Sequence, residues 1–282
     1  MPELPEVEVL RLHLVSRLRG FKIERVEILR PKPARPTTPE VLREALEGTT
    51  VKDLSRRAKY LLLSTKGKPG STAMIHLGMT GRLFLVPKGT ALPKHARVVL
   101  HGKMESLVFE DPRMFGRFTL DLSSMDKLGP EPLDPKLTPA LLKQQLTGTR
   151  QAIKIALLDQ TRVVGLGNIY AAEALFRAGI DPRKATHTLT ADQMKRLCEA
   201  IHFTLAQAIK FGSSIKLAFD KPTSKDALFY YGLSDETNSV VHEKFAVYDR
   251  AGKPCRACGT PIKRLVQAAR STFFCPTCQR KT

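Results

Sequence analysis

Pro130-Glu131-Pro132-Leu133-Asp134-Pro135-Lys136-Leu137-Thr138-Pro139 divides this chain into two kinds of sequence. Each proline fixes its own φ, withholds an amide proton and restricts the residue before it. Four within ten positions exclude regular structure, so 130–139 reads as a linker. Before it lie short β-branched or leucine-rich runs, cut by glycine and proline: Ala58–Thr65, Thr72–Leu77, Arg97–His101, Ser106–Glu110 and Arg117–Asp121. Short strands this closely spaced predict a β-sandwich. The opening differs: Val7, Leu10, Leu14 and Leu18 follow helical spacing, so roughly 5–19 is a helix lying on that sandwich. After the linker the period becomes helical, over 139–148, 151–158, 169–178 and 190–211. In the last of these Thr190 and Gln193 make a capping box, Leu189 and Met194 a staple, and Met194, Leu197, Ile201, Leu205 and Ala208 one apolar face. Strands first and helices second predict an α+β chain, with a first domain over 1–129 and a helical one over 140–246. Residues 213–246 carry no reliable period.

Composition sets the class of partner. With 46 Lys and Arg against 27 Asp and Glu, the 282 residues carry a net charge of +19. That calls for a polyanion, nucleic acid first and anionic membrane or ribosome behind it. No apolar run is long enough to span a bilayer, and the acidic N-terminus is not a secretion signal, so a cytoplasmic protein is expected. Trp is absent and aromatics are only 6%, which excludes recognition by an extended stacking platform. The charge is uneven. Residues 250–282 hold eight bases and no acid, whereas Glu3, Glu6 and Glu8 crowd the opening. Carboxylates repel a polyanion, so the opening needs another use.

Cys255-x2-Cys258 and Cys275-x2-Cys278 stand sixteen residues apart. Two such knuckles on a β-hairpin close a tetrahedral shell around one Zn2+, which makes 247–282 a zinc-ribbon finger. Four thiolates leave no open position, so this zinc is structural. Two disulfides fit poorly with an odd cysteine count and no secretion signal. The fifth, Cys198, falls on the apolar face of helix 190–211 and reads as core. Lys263, Arg264 and Arg270 would project from the hairpin toward phosphates. Gly165-Leu166-Gly167-Asn168 joins two helical segments, with Asn168 at the expected N-cap, and reads as a phosphate clamp.

Met1 ahead of a small residue is normally trimmed, which leaves Pro2 with a free secondary amine. A backbone amine has a pKa of about 7.7–8.0, so a usable fraction is neutral and nucleophilic at neutral pH. Glu3 beside it suits general acid–base work. The same residues also describe a plain acidic terminus.

The run Pro2-Glu3-Leu4-Pro5-Glu6-Val7-Glu8 is followed in order by Arg57-Ala58-Lys59-Tyr60, by His76-Leu77-Gly78-Met79-Thr80-Gly81 and by Asp111-Pro112-Arg113-Met114-Phe115-Gly116. With Gly165–Tyr170 and the cysteine ribbon, this set resembles the bacterial formamidopyrimidine-DNA glycosylases, of the helix–two-turn–helix superfamily. The resemblance covers most of the chain. It implies a monomeric base-excision repair enzyme, associated with the bacterial nucleoid. Such an enzyme binds double-stranded DNA with damaged bases or abasic sites, excises oxidised purines and then cleaves the strand. It implies Pro2 as the nucleophile at C1′, Glu3 as proton donor and shuttle, Glu6 as support, and Lys59, Asn168 and Arg270 as phosphate contacts. Met79, Arg113 and Phe115 would fill the gap left by an extruded base, and His76 would be a hydrogen-bonding residue of the interface. Residues 140–246 would then be the helix–two-turn–helix domain, carrying a lesion-recognition loop.

One stretch departs from the pattern. Ile215–Ala246 is longer than the family's lesion loop and lacks its Gly-rich, Phe-Gln-containing end. Lyase chemistry is therefore the firmer expectation and preference for 8-oxoguanine the looser one. Two rivals stand beside it: an endonuclease VIII-like glycosylase for oxidised pyrimidines, and a damaged-DNA binder without catalysis. Leu4, where the former commonly has glycine, and Arg113–Phe115 favour the purine reading. Pro2, Glu3 and Lys59 argue against the binder.

Overall fold

The computed structural model describes residues 2–67, 71–214 and 245–280. The chain divides into two compact units: Met1–Asp126 together with the described residues 209–214, and Lys127–Ala208 together with the described residues after 244. The division precedes the expected end of the first domain because the linker is tied to the helical unit. Gly129 N–H donates to the Gln160 carbonyl at 2.9 Å, and Val164 N–H to the Pro130 carbonyl at 3.2 Å.

In the first unit, helix α1 (Leu4–Leu18) buries the expected stripe of Val7, Leu10, Leu14 and Leu18. Strand β1 (Arg25–Ile28), helix α2 (Pro39–Leu46) and strands β2 (Thr50–Arg57), β3 (Tyr60–Lys66), β4 (Thr72–His76), β5 (Arg82–Pro87), β6 (Ala96–His101), β7 (Glu105–Glu110) and β8 (Arg117–Thr119) follow. They form two antiparallel sheets, ordered β1-β6-β7-β5 and β2-β3-β4-β8. One core holds Leu54, Leu61, Leu63 and Ile75 from one sheet, Val98, Leu100, Leu107 and Phe109 from the other, and the α1 stripe. The expected sandwich is present, with α1 packed on β2 and β3.

The first strand expected, Ala58–Thr65, starts two residues late. Ala58 has φ +54°, and Ala58-Lys59 form the two-residue turn between paired Arg57 and Tyr60. Strand β2 escaped the sequence pattern because a bulge between Val51 and Asp53 breaks its alternation, putting its buried residues, Val51 and Leu54, three apart.

The second unit contains α3 (Pro139–Thr147), α4 (Ile153–Leu158), α5 (Asn168–Ala178) and, as far as Ala208, α6 (Ala191–Ser213), then hairpin β9 (Lys263–Gln267) and β10 (Arg270–Phe274). The α6 capping box forms as expected: Gln193 N–H donates to Thr190 Oγ1 at 3.2 Å and Thr190 N–H to Gln193 Oε1 at 3.1 Å. Met194, Leu197, Ile201, Leu205 and Ala208 are all core. So is Cys198, whose thiol donates to the Leu137 carbonyl. No helix among the described residues is long and apolar enough to cross a membrane.

The β9–β10 turn is Ala268-Ala269, with φ of +46° and +58°. A two-residue turn of this hand suits Asn-Gly, and left-handed backbone costs an L-residue about 1–2 kcal/mol. Ala269→Gly is therefore expected to raise stability by roughly 1 kcal/mol in a denaturant titration of the zinc-loaded protein. A lower midpoint would show that the turn is not strained.

Candidate active site and nucleic-acid interface

Pro2 is buried at the mouth of α1, and Glu3 is only 2% exposed. Glu3 is the N-cap, with Pro5 in the first turn, where a missing amide proton costs nothing. Glu6 lies one turn on, and its carboxylate accepts the Glu3 N–H at 2.8 Å. Glu6 thus fixes the backbone that carries Pro2 and Glu3.

Lys59, 6% exposed, is held in the strained β2–β3 turn. A polar chain ties that turn to α1. Arg56 Nη1 donates to the Ala58 carbonyl at 3.0 Å, and Arg56 Nε to the Glu8 carboxylate at 2.8 Å. Glu8 also takes Arg11 Nη2 at 2.6 Å. Burial pushes the Glu8 carboxyl up, but hydrogen bonds from Arg11 and Arg56 outweigh it and hold the group below the usual range. The acidic opening is therefore mostly spent inside the protein, on a cap and a two-arginine clamp.

Two loops of the same unit carry the residues expected to fill the base gap. Met79 is 44% and Phe115 50% exposed, with the Arg113 guanidinium carbon 4.6 Å from the Phe115 ring centre. Large apolar side chains left in water beside a guanidinium suit insertion into a base stack. Their loops are rigid. Asp111, fully buried, accepts Thr80 Oγ1 at 2.6 Å, Gly116 N–H at 2.8 Å and Arg113 N–H at 3.2 Å. Gly78, at φ +61°, lies so close to the second loop that a Cβ there would sit 2.6 Å from Gly116 N.

His76, at the end of β4, lies with its ring centre 4.9 Å from that of Tyr60, tilted by 39°, and its Nδ1 accepts the Gly78 N–H at 3.2 Å. That bond leaves the proton of the neutral ring on Nε2. Burial, then the charges of Lys59 and Arg117, lower its pKa to about 4. The unfolded chain takes up this proton near pH 6.5 and the native protein only near 4. This group therefore disfavours the fold progressively as pH falls between those values, and no further below them. NMR of the imidazole is expected to show a neutral ring at pH 5.5; a midpoint near 6.5 would overturn this.

In the second unit Asn168 departs from expectation. It is the first residue of α5, not its N-cap, which is Gly167. Its side chain instead takes Lys154 Nζ on Oδ1 at 2.6 Å and donates from Nδ2 to the Ser271 carbonyl at 2.9 Å. Lys154, fully buried, also donates to the Ser271 carbonyl at 3.0 Å and to Thr272 Oγ1 at 2.8 Å. One buried cation thus joins α4, the start of α5 and β10. Arg270, the first residue of β10, is exposed beside the strained turn.

The Sγ atoms of Cys255, Cys258, Cys275 and Cys278 all lie within 4.8 Å of one another. Tetrahedral Zn–S bonds of about 2.3 Å require sulfurs about 3.8 Å apart. Cys255 and Cys278 are at 3.9 Å, Cys258 and Cys275 at 3.4 Å. Backbone amides of Ala257 and Cys278 point at Cys255 and Cys275 sulfurs, each at 3.4 Å, as thiolates require. Hydrogen bonds from Thr260 bring the Cys258 thiol down to about 6, while burial and neighbouring sulfurs push Cys275 and Cys278 up. Four sulfurs so placed cannot all ionise without a cation between them. The site fits one structural zinc.

Comparison with known proteins agrees with these parts. Residues 1–118 match the formamidopyrimidine-DNA glycosylase N-terminal domain, 128–219 its H2TH domain, and 252–280 a zinc finger found in FPG and IleRS. A formamidopyrimidine-DNA glycosylase of Bordetella pertussis is 41% identical over 290 residues, with all of both chains covered. That of Gluconobacter oxydans is 42% identical, with 99% of this chain and 100% of the relative covered. The chain belongs to the formamidopyrimidine-DNA glycosylase family.

Among solved structures, Lactococcus lactis Fpg bound to DNA with an abasic site is 33% identical, covers 99% of this chain and 100% of its own, and superposes with a TM-score of 0.84. The same protein has been solved with DNA containing N7-benzyl-Fapy-dG, TM-score 0.85, and with DNA containing an oxidised pyrimidine, TM-score 0.84. Four supporting residues of this family member carried no role in the sequence reading: Glu8, Arg56, Asp111 and Lys154. Asp111 was legible in principle, since Asp-Pro-Arg begins an Asx-type turn. Lys154 left a signal too, as a lone charge inside Ile153-Lys154-Ile155-Ala156-Leu157.

Proposed function

We propose that this chain is a bifunctional DNA glycosylase and abasic-site lyase that removes oxidised purines from duplex DNA. The observation that carries the reading is the buried Pro2–Glu3 pair at the head of α1, braced by Glu6. The Pro2 amine attacks C1′ of the damaged nucleotide while Glu3 protonates the ring oxygen. The base leaves, the sugar opens, and an iminium links C1′ to the proline nitrogen. The iminium acidifies the C2′ proton. Its loss expels the 3′ phosphate, and a second elimination expels the 5′ phosphate. Lys59, with its buried stem, holds the phosphate next to the reacting sugar. Met79 and Phe115 occupy the emptied stack, offsetting an unstacking cost of a few kcal/mol, and Arg113 faces the orphaned base.

On this reading 1–129 is the catalytic domain, 140–246 the helix–two-turn–helix domain and 247–282 the finger, with Asn168 and Arg270 on phosphates and His76 a hydrogen-bonding residue of the interface. The zinc, when bound, supplies no chemistry and shapes the hairpin that presents Arg270. The protein works as a monomer on DNA of the bacterial nucleoid. The segment expected to recognise the lesion, 215–246, lies almost entirely outside the described residues.

The test is excision from matched duplexes carrying 8-oxoguanine or an oxidised pyrimidine. Faster release of 8-oxoguanine, leaving a one-nucleotide gap with phosphates at both ends, is expected. Faster release of the pyrimidine would favour the endonuclease VIII-like reading; tight binding without release would favour a damage sensor.

A further inference from the structure

The first unit holds a cleft of about 710 Å³ between the segment Pro31–Thr38 and β8. Three of its lining residues, Lys32, Arg35 and Arg117, are cations, and no acid lines it. Elsewhere in the unit Arg11, Arg17, Arg19, Arg25, Arg56 and Arg82 pair with carboxylates. Among the described residues Lys32, Arg35 and Arg117 have no acidic partner; Arg117 Nη1 donates only to the Lys32 carbonyl, at 3.4 Å. Like charges gathered without a counter-ion repel one another, and an anion in the cleft removes that cost.

The cleft is also preformed. Prolines at 31, 33, 36 and 39 stiffen the segment. Thr37 fastens it to the sheet, its Oγ1 lying 2.8 Å from Thr119 Oγ1 and accepting Leu120 N–H at 3.1 Å. A rigid cleft binds without first losing chain entropy. Arginine forks match the paired oxygens of a phosphodiester. The cleft also continues the interface described above, because Arg117 sits opposite His76 in the β4–β8 register.

We propose that this cleft is a further phosphodiester site, gripping the DNA backbone away from the reacting sugar. The proposal rests on the reading of duplex DNA as substrate. Its test compares the zinc-loaded full chain with Lys32→Ala/Arg35→Ala by fluorescence anisotropy. The probe is a duplex of about 25 base pairs with a tetrahydrofuran abasic analogue, titrated with KCl. Loss of two phosphate contacts should lower the slope of log affinity against log salt by about two and weaken binding about tenfold at physiological salt. Borohydride trapping on saturating abasic DNA should be unchanged, since neither residue is near Pro2 in role. Lys32→Gln/Arg35→Gln, with an unaltered melting temperature, should reproduce the slope and exclude misfolding as its cause. An unchanged slope, in a protein whose wild type traps normally, would overturn the cleft alone. Failure of the wild type to trap would overturn the enzymatic reading with it. If inorganic pyrophosphate shifts NMR signals of the cleft while the duplex slope is unaltered, the cleft takes a free anion and not DNA.

Discussion

Acetylation of the Pro2 amine, or a residue retained ahead of it, is expected to reduce borohydride trapping on abasic DNA to background. The reason is electronic. A secondary amine carries a lone pair that attacks C1′, whereas in an amide that pair is delocalised into a carbonyl. Position compounds it, because Pro2 and Glu3 are buried and an added residue would have to be accommodated where the substrate sugar belongs. The free amine, with a pKa of about 7.7–8.0 before any effect of its surroundings, keeps a usable neutral fraction at neutral pH. Glu3→Gln should bind DNA normally, lose base excision and retain some cutting of a preformed abasic site, since only the first step needs the ring oxygen protonated by this group. Lys59 is the rival amine, held in a turn braced to α1 through Arg56 and Glu8. Peptide mapping of the trapped adduct decides between them. Cross-links at Lys59, or undiminished trapping with the terminus blocked, would overturn the assignment of Pro2.

Cys275→Ser should release the zinc and weaken duplex binding on the order of 100-fold or more, with the residual iminium chemistry at saturating DNA little changed. A two-stranded hairpin is marginal by itself, and a four-cysteine zinc supplies the free energy that orders it. Cys275 lies in the small core formed with Val247, Ile262 and Phe273, so losing the metal also opens this cluster. Arg270 is then unplaced, and Lys154 and Asn168 lose the Ser271 carbonyl that both engage. Two charge-assisted contacts at about 1.5–3 kcal/mol each correspond to such a loss. Metal content by atomic emission, beside anisotropy on abasic duplex, checks it. Full affinity in a metal-free protein would sink the structural role.

The sequence disclosed the parts of this molecule whose physics is local. Four prolines mark the linker, a 3.6-residue period marks α1 and α6, and two Cys-x2-Cys knuckles mark the metal site. What stayed hidden depends on residues far apart in the chain. Strand β2 lost its alternation to a bulge that only its pairing with β3 reveals. Asn168 looked like a helix cap because Gly-Leu-Gly-Asn is a common capping sequence, but a buried lysine fourteen residues earlier and a carbonyl 103 residues later claim its side chain. The duty of Asp111 likewise appears only when Thr80 and Gly116 are folded around it. The free amine of Pro2 and the carboxylate of Glu3 were legible as chemistry and weighted by family likeness; the braces behind them exist only in the fold.

The close approach of Gly78 and Gly116 has a consequence for how this enzyme can be altered. A methyl group at Gly78 would meet Gly116 N at 2.6 Å, and one at Gly116 would meet the His76 carbonyl at 2.7 Å. The two loops therefore behave as one jig, and the side chains at 79, 113 and 115 are exchangeable bits clamped in it. Retooling the preference for the opposite base should succeed by swapping those bits, because the jig does not depend on them. Adding one carbon at either glycine would misalign all three together, while leaving every one of them present.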